Sequence, residues 1–111
     1  MLAMGTHQPD LRWPFPDGRF PADLLAVVQR TVSDGRLPAL VVVHDDEDDW
    51  LIGDGVNDPN EDGASIVCHV QHITAADPTI EDLAGLPPGH AAERSALGEP
   101  WSVFPWTYPD A

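Results

Sequence analysis

Five consecutive carboxylates, Asp45-Asp46-Glu47-Asp48-Asp49, separate two apolar runs, Leu40-Val41-Val42-Val43 and Trp50-Leu51-Ile52. Apolar, β-branched runs of this length read as strands. Five like charges do not enter a core together, so the acids form the turn that joins the two strands. Four apolar residues in a row before His44 imply burial on both faces, which gives Leu40–Val43 a central place in a sheet. The acids of the turn are expected to be exposed and mutually repulsive. They are either tolerated at a solvated tip or kept for a cationic partner.

Punctuation elsewhere in the chain frames this hairpin. Alternating prolines in Trp13-Pro14-Phe15-Pro16 and Phe20-Pro21 exclude a helix, and the aromatics between them are expected to cover a sheet edge or the flank of a core. Residues 22–32 carry two patterns. Leu24, Val27, Val28 and Thr31 fit helical spacing, while Val27, Val28, Thr31 and Val32 before the Ser33-Asp34-Gly35 turn fit a strand. The strand reading, beginning near Leu25, is preferred. Residues 64–70 read as a further strand. Asp77-Pro78-Thr79-Ile80-Glu81-Asp82-Leu83 reads as a helix start, with a capping acid or hydroxyl, proline in the first turn and acids at the positive end of the dipole. Leu86-Pro87-Pro88-Gly89 ends it. Residues 91–96 and 101–104 form a last hairpin around Gly98. The expected fold is therefore α+β: a mostly antiparallel sheet of four to five strands with one or two short helices on one face. It occupies residues 13–106, between an N-terminal tail at 1–12 and a C-terminal tail at 107–111.

A chain of 111 residues forms one domain with a core of its own. The formal net charge of −14 is extreme for that length. All five cations are Arg, and no Lys or Arg lies between Arg36 and Arg94. Phosphates would be repelled, which excludes nucleic acids and anionic membranes as partners. A basic protein partner, a cation, or solubility alone accounts for the acidity. The single Cys68 excludes an internal disulfide and reads as a small strand side chain. Its neighbour His69 points to the opposite face of such a strand and is badly placed to activate it. The first ten residues lack a charged region followed by an apolar run, and no segment approaches the ~20 apolar residues that span a bilayer. The expected compartment is the cytoplasm.

Three constellations bear on chemistry. Asp58-Pro59-Asn60-Glu61-Asp62-Gly63 matches the first half of a calcium loop, with oxygens at alternate positions before a tight glycine turn. The twelfth position is His69 where a bidentate Glu is needed, so Asp58, Asn60, Asp62 and His69 are weak metal candidates and ordinary turn chemistry is the plainer reading. His44, His69, His72 and His90, with nearby carboxylates, are the types that bind zinc, but they lack an HExxH-like spacing. Of Trp13, Trp50, Trp101 and Trp106, the second and third read as core. Trp106, within Pro105-Trp106-Thr107-Tyr108-Pro109, is the candidate anchor for a partner.

Several of these segments together resemble a small family of uncharacterised bacterial proteins. Its pattern runs Pro-Ile-Leu-x-Val-x-His-Asp, an acidic turn, Trp-Gln-Phe, a variable acidic loop, Asp-Pro-Ser, Leu-Ala-x-Leu-Pro-x-Gly, Ala-Trp-Arg and a late Trp. The matching residues are Pro38 to Asp45, Trp50-Leu51-Ile52, Asp77-Pro78-Thr79-Ile80, Leu83-Ala84-Gly85-Leu86-Pro87-Pro88-Gly89, Ala92-Glu93-Arg94 and Trp101. The likeness covers most of residues 25–103 and departs at His90 and Glu93, where such sequences place Trp. Proteins of this look are similar to the small immunity proteins encoded beside bacterial toxins. The expected function is a non-enzymatic acidic module that binds a basic protein and inhibits it as an immunity protein does. Its contact residues would be Asp45, Asp46, Glu47, Asp48, Asp49, Asp54, Asp58, Glu61, Asp62 and Trp106. No cofactor is implied. The alternative is a metal-binding protein or metal-dependent enzyme using His44, His69 and nearby acids. A third reading leaves the acidity to solubility alone.

Overall fold

The computed structural model describes residues 11–108, so most of the expected N-terminal tail and residues 109–111 of the C-terminal one lie outside the described residues. The strands are β1 (Leu25–Gln29), β2 (Val41–His44), β3 (Trp50–Gly53), β4 (Ser65–His69), β5 (His90–Glu93) and β6 (Ser102–Pro105). They form one sheet in the order β4-β1-β3-β2-β5-β6. A helical turn α1 (Arg30–Ser33), a helix α2 (Val70–Ala76) and a 3-10 helix (Pro78–Leu83) complete the fold. The architecture is α+β, with the short helices on one face of a mixed, mostly antiparallel sheet. Its one parallel pairing among the described residues is β1 with β3.

The hairpin around the acidic run forms as expected. Val42 pairs with Ile52 and His44 with Trp50, and β2 and β3 are the two middle strands. The sheet has six strands where four to five were expected, because the last hairpin adds both β5 and β6. The strand reading of residues 22–32 holds for Leu25–Gln29, and one helical turn follows at Arg30–Ser33, which takes in only Thr31 of the residues with helical spacing. The start of α2 is a correction, since Val70 opens the helix and does not end the strand. His69 is still extended, with φ −69° and ψ 136°, and Val70 then starts a helix that has no side-chain cap to announce it. Asp77 ends α2, donating its N–H to the Ile73 carbonyl, and its carboxylate caps the 3-10 helix by accepting from the Thr79 N–H at 3.1 Å.

The core lies between the sheet and the helices. Ala26, Val28, Val42 and Ile52 meet Val70, Ile73, Ile80 and Leu83 there. Each fully buried Val or Ile contributes about 1.5–3 kcal/mol relative to exposure. The proline-punctuated segment closes one flank. Phe20 packs edge-on against Trp50 at 5.0 Å between centroids, and Phe15 stacks on the same ring at 6.1 Å. Leu11 also packs against this cluster, so the packed unit begins inside the segment expected to be a tail.

Arg94 locks the far corner. It is 6 % exposed. Its guanidinium donates to the Ala39 carbonyl at 2.9 and 3.1 Å, to Thr79 Oγ1 at 2.8 Å and to Asp77 Oδ2 at 2.6 Å. It also lies 4.1 Å above the Trp101 ring. One side chain thus ties β5 to the start of β2, the cap of the 3-10 helix and the β6 approach. Burial pushes the Asp77 carboxyl up, but the hydrogen bonds from Thr79 and Arg94 and the Arg94 charge outweigh it and leave it below the usual carboxylate value. A depressed carboxylate contributes stability above its unfolded pKa and loses it as the pH falls below that value. Replacing Arg94 with Met should cost about 3–5 kcal/mol at neutral pH, because it leaves the partly buried Asp77 carboxylate without its cation and strands the buried Ala39 carbonyl. Urea unfolding measures this, and the cost should shrink in acid. A loss of under ~1 kcal/mol at neutral pH would mean the pair acts as an exposed one.

Candidate functional site

The acidic residues gather in two loops at opposite ends of β3. The first, residues 45–49, is built around His44 and Asp45. His44 is fully buried and stacks on Trp50 at 4.0 Å and 14°. Its Nδ1 lies 2.6 Å from the Leu86 carbonyl oxygen, which only accepts, so Nδ1 carries a proton and donates it. Its Nε2 makes a short contact with Asp48 Oδ1. That contact holds Asp48 in the left-handed region, φ 72°, where non-glycine residues are rare.

Asp45 is 1 % exposed. Its Oδ1 accepts the N–H groups of Glu47 and Asp49, both at 2.9 Å, and its Oδ2 accepts the Tyr108 hydroxyl at 2.8 Å. The expectation of a fully exposed run is corrected here. Asp45 is turned inward because three donors replace its water, and Asp48 is half-buried against His44. Asp46, Glu47 and Asp49 face solvent.

The second loop, residues 54–62, repeats the device. Asp54 was expected at the surface but is 1 % exposed. It accepts from the N–H groups of Val56 and Asn57 at 2.8 Å, from Asn57 Nδ2 at 2.9 Å and from Thr31 Oγ1 at 2.5 Å. Burial raises its carboxyl, but these four bonds prevail and hold it down at about 2. Gln29 braces the loop, accepting the Asp54 N–H at 2.7 Å and donating to the Asn57 carbonyl at 3.1 Å. Gly53 is needed beneath it, since a Cβ there would sit 2.8 Å from Gln29 Oε1. Beyond this brace Asp58, Asn60, Glu61 and Asp62 are exposed, and Asp58 Oδ1 accepts the Asn60 N–H at 2.9 Å as an ordinary turn.

The structure separates the histidines that a metal site would have to join. His44 sits in β2 under the helices, whereas His69 is exposed at the end of β4, an edge strand three positions away. His69 pairs with Leu25, on the opposite face of the sheet from His44. Among the described residues no group of three His, Cys, Asp or Glu side chains converges to hold a metal ion. Cys68 is half-buried against the core, and that burial raises its thiol, which disfavours the thiolate. An open cleft of about 400 Å³ between α1 and α2 is lined by apolar side chains such as Val32, Leu37 and Ile80, and His72 at its rim bonds the Ser33 carbonyl.

Trp106 lies beside the first acidic loop, half-buried, its ring edge-on to Tyr108 at 4.6 Å. The Trp106 backbone N–H donates to the Gly89 carbonyl, and the Gly89 N–H donates to the His44 carbonyl. With the Tyr108–Asp45 bond, these contacts fasten residues 106–108 to the turn, so the start of the expected C-terminal tail is docked. Sequence reasoning missed His44, Tyr108, Gln29 and Arg94 as organisers. The available signals were an Asp-Gly directly after a strand, which reads as a side-chain-capped turn, and the His44–Asp48 spacing.

No helix among the described residues is long and apolar enough to cross a membrane. Comparison with protein-family models, curated proteins and solved structures finds no match, so the family resemblance rests on the residues that carry it.

The five acids of the turn should therefore not be equivalent. Asp45→Asn should cost about 1–3 kcal/mol, by weakening bonds to a buried charged acceptor. Asp46→Asn with Asp49→Asn should leave stability unchanged or raise it by up to about 1 kcal/mol. Tyr108, the only tyrosine, gives a second readout. Its hydrogen bond to Asp45, burial, and the Asp45, Asp49 and Glu47 charges push its hydroxyl from 10 up to about 12. A raised folded pKa adds stability that is full below the ordinary value and lost as the pH climbs through the raised one. The phenolate absorbance should appear near 12 in the native protein and at lower pH after Asp45→Asn, which removes the hydrogen bond and one of the three charges. Equal costs for all the acids, with an ordinary tyrosine, would contradict the arrangement.

Proposed function

We propose that this chain is a non-enzymatic, acidic protein-binding module that acts as an immunity-type inhibitor of a basic bacterial protein. The observation that carries the reading is the placing of charge. Asp46, Glu47 and Asp49 at one end of β3, and Asp58, Glu61 and Asp62 at the other, are all exposed, and no Lys or Arg lies between Arg36 and Arg94. In this reading Asp45, Asp48 and Asp54 position the loops, and their exposed neighbours meet the partner. Those carboxylates would stand where phosphates stand in a cationic cleft. Their field would speed encounter and exclude wrong partners more than it would add raw affinity. Trp106, tethered beside the first loop, would supply an apolar anchor. The reading places the protein in the cytoplasm, where such inhibitors meet their targets.

The product of the adjacent gene, purified, is the first partner to test. Association should slow steeply as salt rises, with dissociation much less affected. Asp46→Lys with Asp49→Lys should weaken the complex by several kcal/mol if the acids are buried in it. A basic neighbour that binds equally well after charge reversal, or no binding to any basic candidate, would leave the acidity to solubility.

A further inference from the structure

The face of the sheet opposite the helices carries a continuous apolar row. Val67, Val27, Leu51, Val43, Ala91 and Phe104 are successive register partners across all six strands. Side chains alternate along a strand, so Ala26, Val28, Val42 and Ile52 face the core while this row faces away from it. Toward β6 the row is covered, with Val43 and Ala91 buried. Toward β4 it is open: Leu25, Val27 and Val67 are 50, 40 and 64 % exposed. The outer face of an antiparallel sheet is ordinarily polar, and a contiguous apolar patch there marks an interaction surface.

The surroundings of the row select the occupant. None of the six strands contains a Lys or Arg. The exposed acids of residues 45–49 lie at one end of β3 and those of residues 58–62 beyond the other. In the parallel β1–β3 pair Val27 is level with Leu51, so Leu25 comes level with Asp49 of the acidic turn. A second copy is a poor occupant on two counts. Five strand spacings of about 4.8 Å and strand lengths of about 14 Å give the whole face roughly 300–400 Å², and the open part toward β4 is smaller still. A stable interface buries about 800 Å² per partner, so the rest would have to come from the loops. Those loops would set acids against acids in a dimer, whereas cations would be drawn to them.

We infer that the open sheet face is the contact core for a basic protein partner, with an apolar ridge along the Val67–Val27–Leu51 row and cations reaching the acids at both strand ends. The inference rests on the reading of the chain as a binder of basic proteins, and adds the surface that gives the complex its apolar core.

The test uses three soluble synthetic peptides and the whole chain, followed by amide shifts in NMR titrations. One peptide has a Leu/Val centre with Lys at both ends, one has a Ser/Thr centre with the same Lys ends, and one has the Leu/Val centre with Glu ends. The first should bind best and shift amides of β4, β1 and β3. Val27→Thr with Val67→Thr should weaken it about tenfold, the loss of roughly two buried methyl groups, and leave the Ser/Thr peptide unaffected. Val56→Thr, more exposed than either and outside the sheet, should change nothing. Equal binding by both Lys-ended peptides, with shifts confined to residues 45–49 and 54–62, would overturn the inference and leave the proposed function standing. Binding by neither would overturn both. A sedimenting dimer dispersed by the two Val→Thr changes, or nuclear Overhauser contacts from residues 1–10 to the Val27 methyls, would give the face to another occupant and overturn the inference alone.

Discussion

The buried imidazole of His44 is the constraint on which one end of the molecule depends. It is fully enclosed, stacked on Trp50 and bonded through both ring nitrogens, to the Leu86 carbonyl and to Asp48. Losing either partner would leave a buried polar nitrogen unsatisfied. The ring therefore sets the distance between β2 and the Leu86–Gly89 segment, while its own carbonyl receives the Gly89 N–H. Asp48 is held in a left-handed conformation, and Asp45 gathers the turn amides and the Tyr108 hydroxyl. The acidic turn is thus a fastened structure with three carboxylates pushed outward. Two others are used up in fastening it.

Asp54 does the same at the opposite end without a histidine. Four hydrogen bonds and the Gln29 brace hold a nearly inaccessible carboxylate ionised. With Arg94 and Asp77 at the corner beneath, the fold keeps each buried charge multiply bonded, as burial in a medium of low dielectric demands. The net charge of −14 is therefore divided between two kinds of acid: carboxylates that organise backbone, and carboxylates that face solvent on loops so organised.

Much of the fold is legible in the sequence where one residue pattern has one solution. Five acids between two β-branched runs could only be a turn between strands, and Asp77-Pro78-Thr79 could only start a helix. The Leu25–Gln29 strand and the Arg30–Ser33 turn were half legible, because two periodicities overlap there and only the strand one is used. The start of helix α2 was not legible. Its first residue, Val70, extends the apolar run of β4, and no capping side chain marks the change. Strand order was not legible either, since the insertion of β3 beside β1 is decided by long-range packing of Val28 and Ile52 over the helices. The division of the acids escaped for a different reason. Composition treats Asp45 and Asp46 alike, and only the donors that surround them in three dimensions tell them apart.

Amide hydrogen exchange resolved by residue tests this division most directly. The N–H groups of Glu47, Asp49, Val56 and Asn57 lie in loops, yet each donates to a buried carboxylate. They should exchange as slowly as the neighbouring strand amides of β2 and β3, and Asp46 and Asp62 should exchange at open-loop rates. Uniformly fast exchange across residues 45–49 and 54–62 would contradict the account, for it would mean that the acids form solvated tips and that neither Asp45 nor Asp54 is a scaffold.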